Sequence, residues 1–120
     1  MEVFFSSQGR PKVKLHTKGK RQGGNLEAIL DTGFDGFLSL PITTAVSLGL
    51  ELIGIQPVEY ADGRTSKELV FSVEVNMEGK WKTVPTTLTS SSEALVGTAL
   101  LADYELSLNF HKQKVILEKV

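Results

Sequence analysis

The chain has 120 residues, no cysteine, a formal net charge of −1 and 41% hydrophobic residues. This length and composition predict a single domain, residues 1–120, with one modest core. The absence of cysteine excludes disulfides, thiolate nucleophiles and thiolate metal sites. The small net charge provides no global field that would attract nucleic acid or an anionic membrane, so neither is an expected partner.

Nothing at the start of the chain resembles a targeting signal. Residues 1–14 contain one short apolar run, residues 3–5, and then become basic, unlike a signal peptide. No stretch approaches the roughly 20 apolar residues of a membrane span. We therefore expect a soluble, cytoplasmic protein.

The predicted elements are mainly strands, because apolar residues recur at period two or in short runs separated by turn-forming residues. Helices are predicted at residues 41–48, with Pro41 in the first turn and Gly49 after the last, and at residues 98–102. Asp62-Gly63 and residues 76–79 predict hairpin turns. In chain order, the predicted strands are residues 3–5, 13–16, 26–31, 37–40, 52–60, 65–76, 80–88, 94–96, 105–110 and 115–119.

One predicted strand ends in an unusual way: residues 26–33 read Leu-Glu-Ala-Ile-Leu-Asp-Thr-Gly. A carboxylate at the exit of a core strand is costly unless it is paired or hydrogen-bonded, so Asp31 requires an explanation. The simplest one is a local turn, in which Asp31 accepts backbone hydrogen bonds and Gly33 supplies a permissive backbone. The tripeptide alone favours that interpretation.

Two further features change the balance. The apolar residues 37–41 run into the first predicted helix, and Leu95-Val96-Gly97 precedes the second. Together with Asp31-Thr32-Gly33, in this order, they resemble the retropepsin-like aspartic peptidases of clan AA. With Phe34 next, the chain is most similar to prokaryotic single-domain members that carry an Asp-Thr-Gly-Phe signature. The resemblance implies a closed β-barrel of the acid protease fold with a short helix near the C-terminus.

The resemblance also implies roles for the loop that begins at Asp31, called the acid loop, and for the segment that supports it. Asp31 would be the catalytic carboxylate. Thr32 would reach across a dimer axis to hold two such loops together, and Gly33 would offer its backbone to the substrate. The three residues Leu95, Val96 and Gly97 would support the loop without taking part in the chemistry.

Substrate-binding positions are implied as well. Asp62 and Gly63 would form the tip of a flap that closes over a bound peptide, with Tyr60 beside it. The bulk of Phe34 would narrow the primary specificity pocket. For Asp35, at the rim of the cleft, a substrate-binding role and a simple turn role both remain open.

The implied chemistry needs two carboxylates, because one must activate a water while the other polarises the scissile carbonyl. The chain contains only one Asp-Thr-Gly, so we expect a homodimer that places Asp31 of both chains at its two-fold axis. The partners would be a second copy and a polypeptide substrate, with no cofactor. Exposed edge strands invite pairing, so residues 3–5 or 115–120 would cross to the partner.

Other hypotheses assign a different function to the chain. A catalytically silent, dimeric peptide-binding or scaffold domain would keep the fold, with Phe34 filling the cleft. A phosphate-binding loop at Asp31 is disfavoured because no Gly-rich run or lysine follows it. The alternating basic residues 10–20 fit a nucleic-acid patch less well than a solvated strand face. No metal site is expected, because His16 and His111 lack ligand spacing.

Overall fold

The computed structural model describes the whole chain, Met1–Val120. All ten predicted strands are present, with ends that differ from the prediction by a few residues at most. The chain has no helix that could span a membrane. The elements are β1 (Glu2–Phe5), β2 (Pro11–Lys18), β3 (Gly23–Leu30), β4 (Leu38–Pro41), α1 (Ile42–Leu48), β5 (Glu51–Glu59), β6 (Thr65–Met77), β7 (Lys80–Thr89), β8 (Ala94–Val96), β9 (Tyr104–Asn109) and β10 (Lys114–Lys119).

Six strands form a closed barrel in the order β2, β3, β8, β4, β7, β6. The barrel closes where β6 returns to pair with β2, from His16 opposite Asn76 to Lys18 opposite Glu74. β1 extends the sheet from β2, and β5 extends it from β6. The predicted mainly β fold with a closed barrel is therefore confirmed.

The interior of the barrel follows directly from the period-two pattern of its strands. Along β2, Val13, Leu15 and Thr17 are buried while Lys14 and His16 are exposed, because successive side chains of a strand point to opposite faces. β4 is buried at all four positions. This strand lies in the middle of the sheet, between β7 and β8, and leads directly into α1.

The first predicted helix is confirmed as α1, although it begins at Ile42 rather than at Pro41. Pro41 belongs to the end of β4 and precedes the first helical turn. The helix ends at Leu48, and the N–H of the following Gly49 donates to the carbonyls of Ala45 (3.0 Å) and Val46 (3.2 Å).

The predicted short helix at residues 98–102 is wrong. The segment forms successive turns, each closed by a hydrogen bond to the carbonyl three residues earlier: Leu100 N–H donates to Gly97 O (3.2 Å), and Leu101 N–H donates to Thr98 O (3.1 Å). No α-helical hydrogen bond, from an N–H to the carbonyl four residues earlier, forms in this segment, while the N–H groups of Thr98 and Ala99 donate to the carbonyls of Phe34 and Gly36. Those two hydrogen bonds belong to the candidate site.

The C-terminal strands form a separate hairpin. β9 and β10 pair only with each other, and the ring of Phe110 meets that of Phe5 edge-on at 5.6 Å. Burial and the negative charges of Glu78 and Asp103 raise the pKa of Tyr104 above its usual value. β1 and β10 each pair on one side only, so the crossing of either strand to a partner stays a prediction.

Candidate active site

Asp31 directly follows β3 and is half-buried at the start of a loop. Its N–H donates to Val96 O (2.9 Å), and its Oδ1 accepts the N–H of Gly33 (2.9 Å). The carboxylate forms no ion pair, and Oδ2 has no hydrogen-bond partner in the chain. The local turn predicted for Asp31 therefore exists, yet it uses only one carboxylate oxygen.

Strand β8 and the segment after it are hydrogen-bonded to this loop, and the supporting role of Leu95, Val96 and Gly97 stays a prediction. β8 lies between β3 and β4, with Leu95 opposite Ile29 on one side and Ser39 on the other. Three backbone hydrogen bonds then join the two segments: Thr98 N–H to Phe34 O (2.8 Å), Ala99 N–H to Gly36 O (3.2 Å) and Gly97 N–H to Phe37 O (3.0 Å).

Gly97 is the point of closest approach between the two segments. A Cβ at this position would overlap the carbonyl oxygen of Gly36 and lie 2.7 Å from the carbonyl oxygen of Phe34. Real Cβ atoms essentially never come that close to another heavy atom. Only glycine fits here without moving the loop that carries Asp31.

The side chain of Phe34 folds back onto its own loop. A Cβ at Gly36 would lie 2.6 Å from the Cζ of Phe34, and one at Gly97 would lie 2.7 Å from its Cδ2, so the ring covers both glycines. Phe34 is half-buried in this position. The ring therefore forms part of the wall of a neighbouring cleft and does not fill that cleft.

That cleft has a volume of about 690 Å³ and separates the acid loop from the β5–β6 hairpin. Phe34 and Asp35 line it on the loop side, and Gln56, Glu59 and Glu68 line it on the hairpin side. A smaller cavity of about 310 Å³ also contains Phe34, Asp35 and Gln56. Both volumes fall within the range of roughly 300–1,000 Å³ that is typical of ligand pockets.

The predicted flap tip is a tight turn at the end of the β5–β6 hairpin. Tyr60 N–H donates to Arg64 O (2.8 Å), and Gly63, at φ 87°, donates its N–H to Tyr60 O (2.9 Å). The carboxylate of Asp62 accepts from the backbone N–H (3.0 Å) and the Nε (2.6 Å) of Arg64. The turn residues line neither cavity, so the substrate-binding roles of Tyr60, Asp62 and Gly63 stay predictions.

Solved structures with the same architecture are aspartic proteases. A retropepsin-like aspartic protease from Rickettsia conorii superposes with a TM-score of 0.65 over 97% of this chain and 87% of its own, at 13% identity. The chain has the retropepsin-like fold. The EIAV protease, solved with the inhibitor HBY-793, gives a TM-score of 0.58 over 78% of this chain and 86% of its own, at 16% identity.

A third similar structure is the simian foamy virus (mac) protease, with a TM-score of 0.53 over 75% of this chain and 92% of its own, at 13% identity. Neither a family model nor a curated protein matches the sequence. Because the identities are low, these comparisons establish the retropepsin-like fold and leave the activity to be argued from the site.

Sequence reasoning missed the hairpin side of the cleft in this retropepsin-like fold. Gln56 and Glu68 are cross-strand partners, and Glu59 opposes Thr65 at the last pair before the turn. The register was available from the Asp62-Gly63 turn, because a hairpin turn fixes which residues oppose each other. What the sequence did not show is that this part of the hairpin lines the same cleft as Phe34.

Two other surface features lie apart from the acid loop. Within the basic stretch 10–20, three lysines form ion pairs: Lys12 with Glu93 (3.4 Å), Lys14 with Glu2 (3.2 Å) and Lys20 with Glu51 (3.8 Å). A cavity of about 570 Å³ is lined by residues of β1–β3 and of the β6–β7 turn, and by none of the predicted site residues. Neither feature contains a predicted site residue.

Proposed function

We propose that the chain is an aspartic endopeptidase, in which Asp31 from two chains of a homodimer activates a water that hydrolyses a peptide bond. One observation carries the proposal: in a retropepsin-like fold, the carboxylate of Asp31 has no cation partner and stands on a hydrogen-bonded loop whose next residues, Phe34 and Asp35, line an open cleft of about 690 Å³.

The chemistry follows from pairing two like charges. Two carboxylates about 3 Å apart cannot both ionise, so they share one proton and titrate as a pair; aspartic peptidases are the standard example. The ionised carboxylate removes a proton from water, and the protonated one donates to the scissile carbonyl oxygen as the water oxygen attacks the carbon. Collapse of the tetrahedral species breaks the C–N bond, and the amine leaves with a proton returned from the pair.

The other residues of the loop fit this assembly. Thr32 and Gly33 are exposed beside Asp31, where the proposal needs them to meet the second chain and the substrate backbone. An extended polypeptide would lie between the acid loop and the β5–β6 hairpin. The scaffold alternative requires Phe34 to fill the cleft, and the packing of its ring over Gly36 and Gly97 favours the enzyme instead.

The proposal is tested by cleavage of a mixed library of extended hydrophobic peptides from mildly acidic to neutral pH. We expect a bell-shaped dependence of kcat/KM on pH, because the pair is active only with one proton and loses activity when it gains or loses one. A single ionisation in the profile would contradict a shared dyad. The absence of cleavage by a dimeric, folded preparation would favour the scaffold alternative.

A further inference from the structure

We propose that the cleft between Phe34 and Asp35 of the acid loop and the β5–β6 hairpin selects a cationic side chain, lysine or arginine, in the substrate. This inference deepens the proposed function and rests on it. Asp35, Glu59 and Glu68 all line the cleft of about 690 Å³, and no lysine, arginine or histidine lines it. Three acidic residues and no basic residue therefore line a single ligand-sized space.

None of these three carboxylates is neutralised elsewhere. The ion pairs of the chain are Lys12–Glu93, Lys14–Glu2, Lys20–Glu51 and Arg64–Asp62, and none includes Asp35, Glu59 or Glu68. Arg64, the cation nearest along the chain to Glu59, is held by Asp62 at 2.6 Å. A cationic ligand would supply the charge that the cleft lacks.

Ser39 is an independent sign that this cleft takes a polar ligand. The residue is only 8% exposed, it lines the cleft, and its hydroxyl has no hydrogen-bond partner within the chain. No fully buried polar side-chain atom in the chain is left unpaired, so the Ser39 oxygen keeps its access through the cleft. A nearly buried hydroxyl without a partner gains a hydrogen bond when a polar group enters.

The apolar part of the lining fits the stem of the same side chain. Phe34, Leu88 and Leu95 line the cleft together with the carboxylates. Lysine and arginine place a methylene stem along apolar surface while the charged head reaches polar groups. Their heads form charge-assisted hydrogen bonds with carboxylates, which are stronger than neutral ones.

The spacing of the carboxylates disfavours a metal ion as the ligand. Nowhere in the chain do three or more histidine, aspartate or glutamate side chains come close enough to hold one ion. The three acidic residues of the cleft therefore do not converge on one point. That arrangement suits a long side chain, or several cationic groups along an extended peptide.

The test uses the full-length protein and octapeptides of hydrophobic residues, each with arginine at one position in turn. A matched set carries citrulline, which has nearly the same shape without the charge. At one or more positions we expect kcat/KM for arginine to exceed that for citrulline by at least about tenfold. Glu59→Gln combined with Glu68→Gln should lower this ratio to below about threefold, because the neutral amides keep the shape but lose the charge.

Neither glutamate makes a side-chain hydrogen bond or ion pair, so the double variant should fold, and its melting temperature checks this. Glu27→Gln, an exposed carboxylate on β3 outside the cleft, is the control and should leave the ratio unchanged. Equal kcat/KM for arginine and citrulline at every position would overturn the inference.

A binding measurement separates a failure of catalysis from a failure of charge selectivity. If no peptide is cut, fluorescence anisotropy with the same labelled peptides measures affinity directly. Tighter binding of an arginine peptide that is lost in the double variant would retain the charge selectivity and reject the peptidase. Equal binding of both sets, or no binding, would overturn the charge selectivity too.

Discussion

Replacing Asp31 with asparagine should lower kcat by about 10³-fold, because the amide can neither remove a proton from water nor share one with its partner. The loop should survive the change. The side-chain oxygen of asparagine can still accept the N–H of Gly33, which now lies 2.9 Å from Asp31 Oδ1. The measurement is the steady-state kcat of both proteins on the peptide that the wild type cleaves best.

The control for this variant is Glu27→Gln, which makes the same carboxylate-to-amide change at an exposed position of β3. It should keep wild-type kcat within about twofold, since surface changes away from a site have small effects. Melting temperature and sedimentation would show that all three proteins remain folded and equally associated. More than a tenth of wild-type kcat in Asp31→Asn would rule out Asp31 as the catalytic acid.

Gly97→Ala should destabilise the protein by about 3 kcal/mol, because a Cβ there overlaps the carbonyl oxygen of Gly36 and crowds that of Phe34. The clash is with backbone on both sides, so rotation of a side chain cannot relieve it. Relief requires separating the acid loop from the segment after β8. Urea unfolding followed by fluorescence of the single tryptophan measures the free-energy change.

Gly24→Ala on β3 is the matched control, since a Cβ there would meet no heavy atom within 4 Å. It should change the free energy of unfolding by less than about 0.5 kcal/mol. If Gly97→Ala unfolds at the same urea concentration as the control, the close packing of the two segments does not hold the acid loop.

The sequence predicted the strands well because apolar and polar residues alternate along several of them. Along β2, every second residue from Val13 to Thr17 enters the core, and turn residues punctuate the long hairpins. The acid loop was predictable for a different reason: Asp31, Thr32 and Gly33 form a short motif whose residue types serve one chemistry. Local pattern and local chemistry are both visible along a sequence.

What the sequence did not predict depends on contacts between distant segments. Turns follow Gly97 where a helix was expected, and the N–H groups of Thr98 and Ala99 join this segment to the loop carrying Asp31. Glu59 and Glu68 resemble solvated charges on a strand until the fold places them in the same cleft as Phe34. Asp62 lies in the expected turn, but its carboxylate binds Arg64 of the same turn, a contact that the sequence did not predict.

The central claim is that two copies of Asp31 act together, and mixed dimers test it most directly. Wild-type and Asp31→Asn chains are unfolded together and refolded at fixed total concentration, while the fraction of wild-type chains is varied. If each active site needs one Asp31 from each chain, activity falls with the square of that fraction, and an equal mixture keeps about a quarter of the wild-type activity. Activity that falls in direct proportion, leaving about half in the equal mixture, would show that each chain works alone and would contradict the dyad.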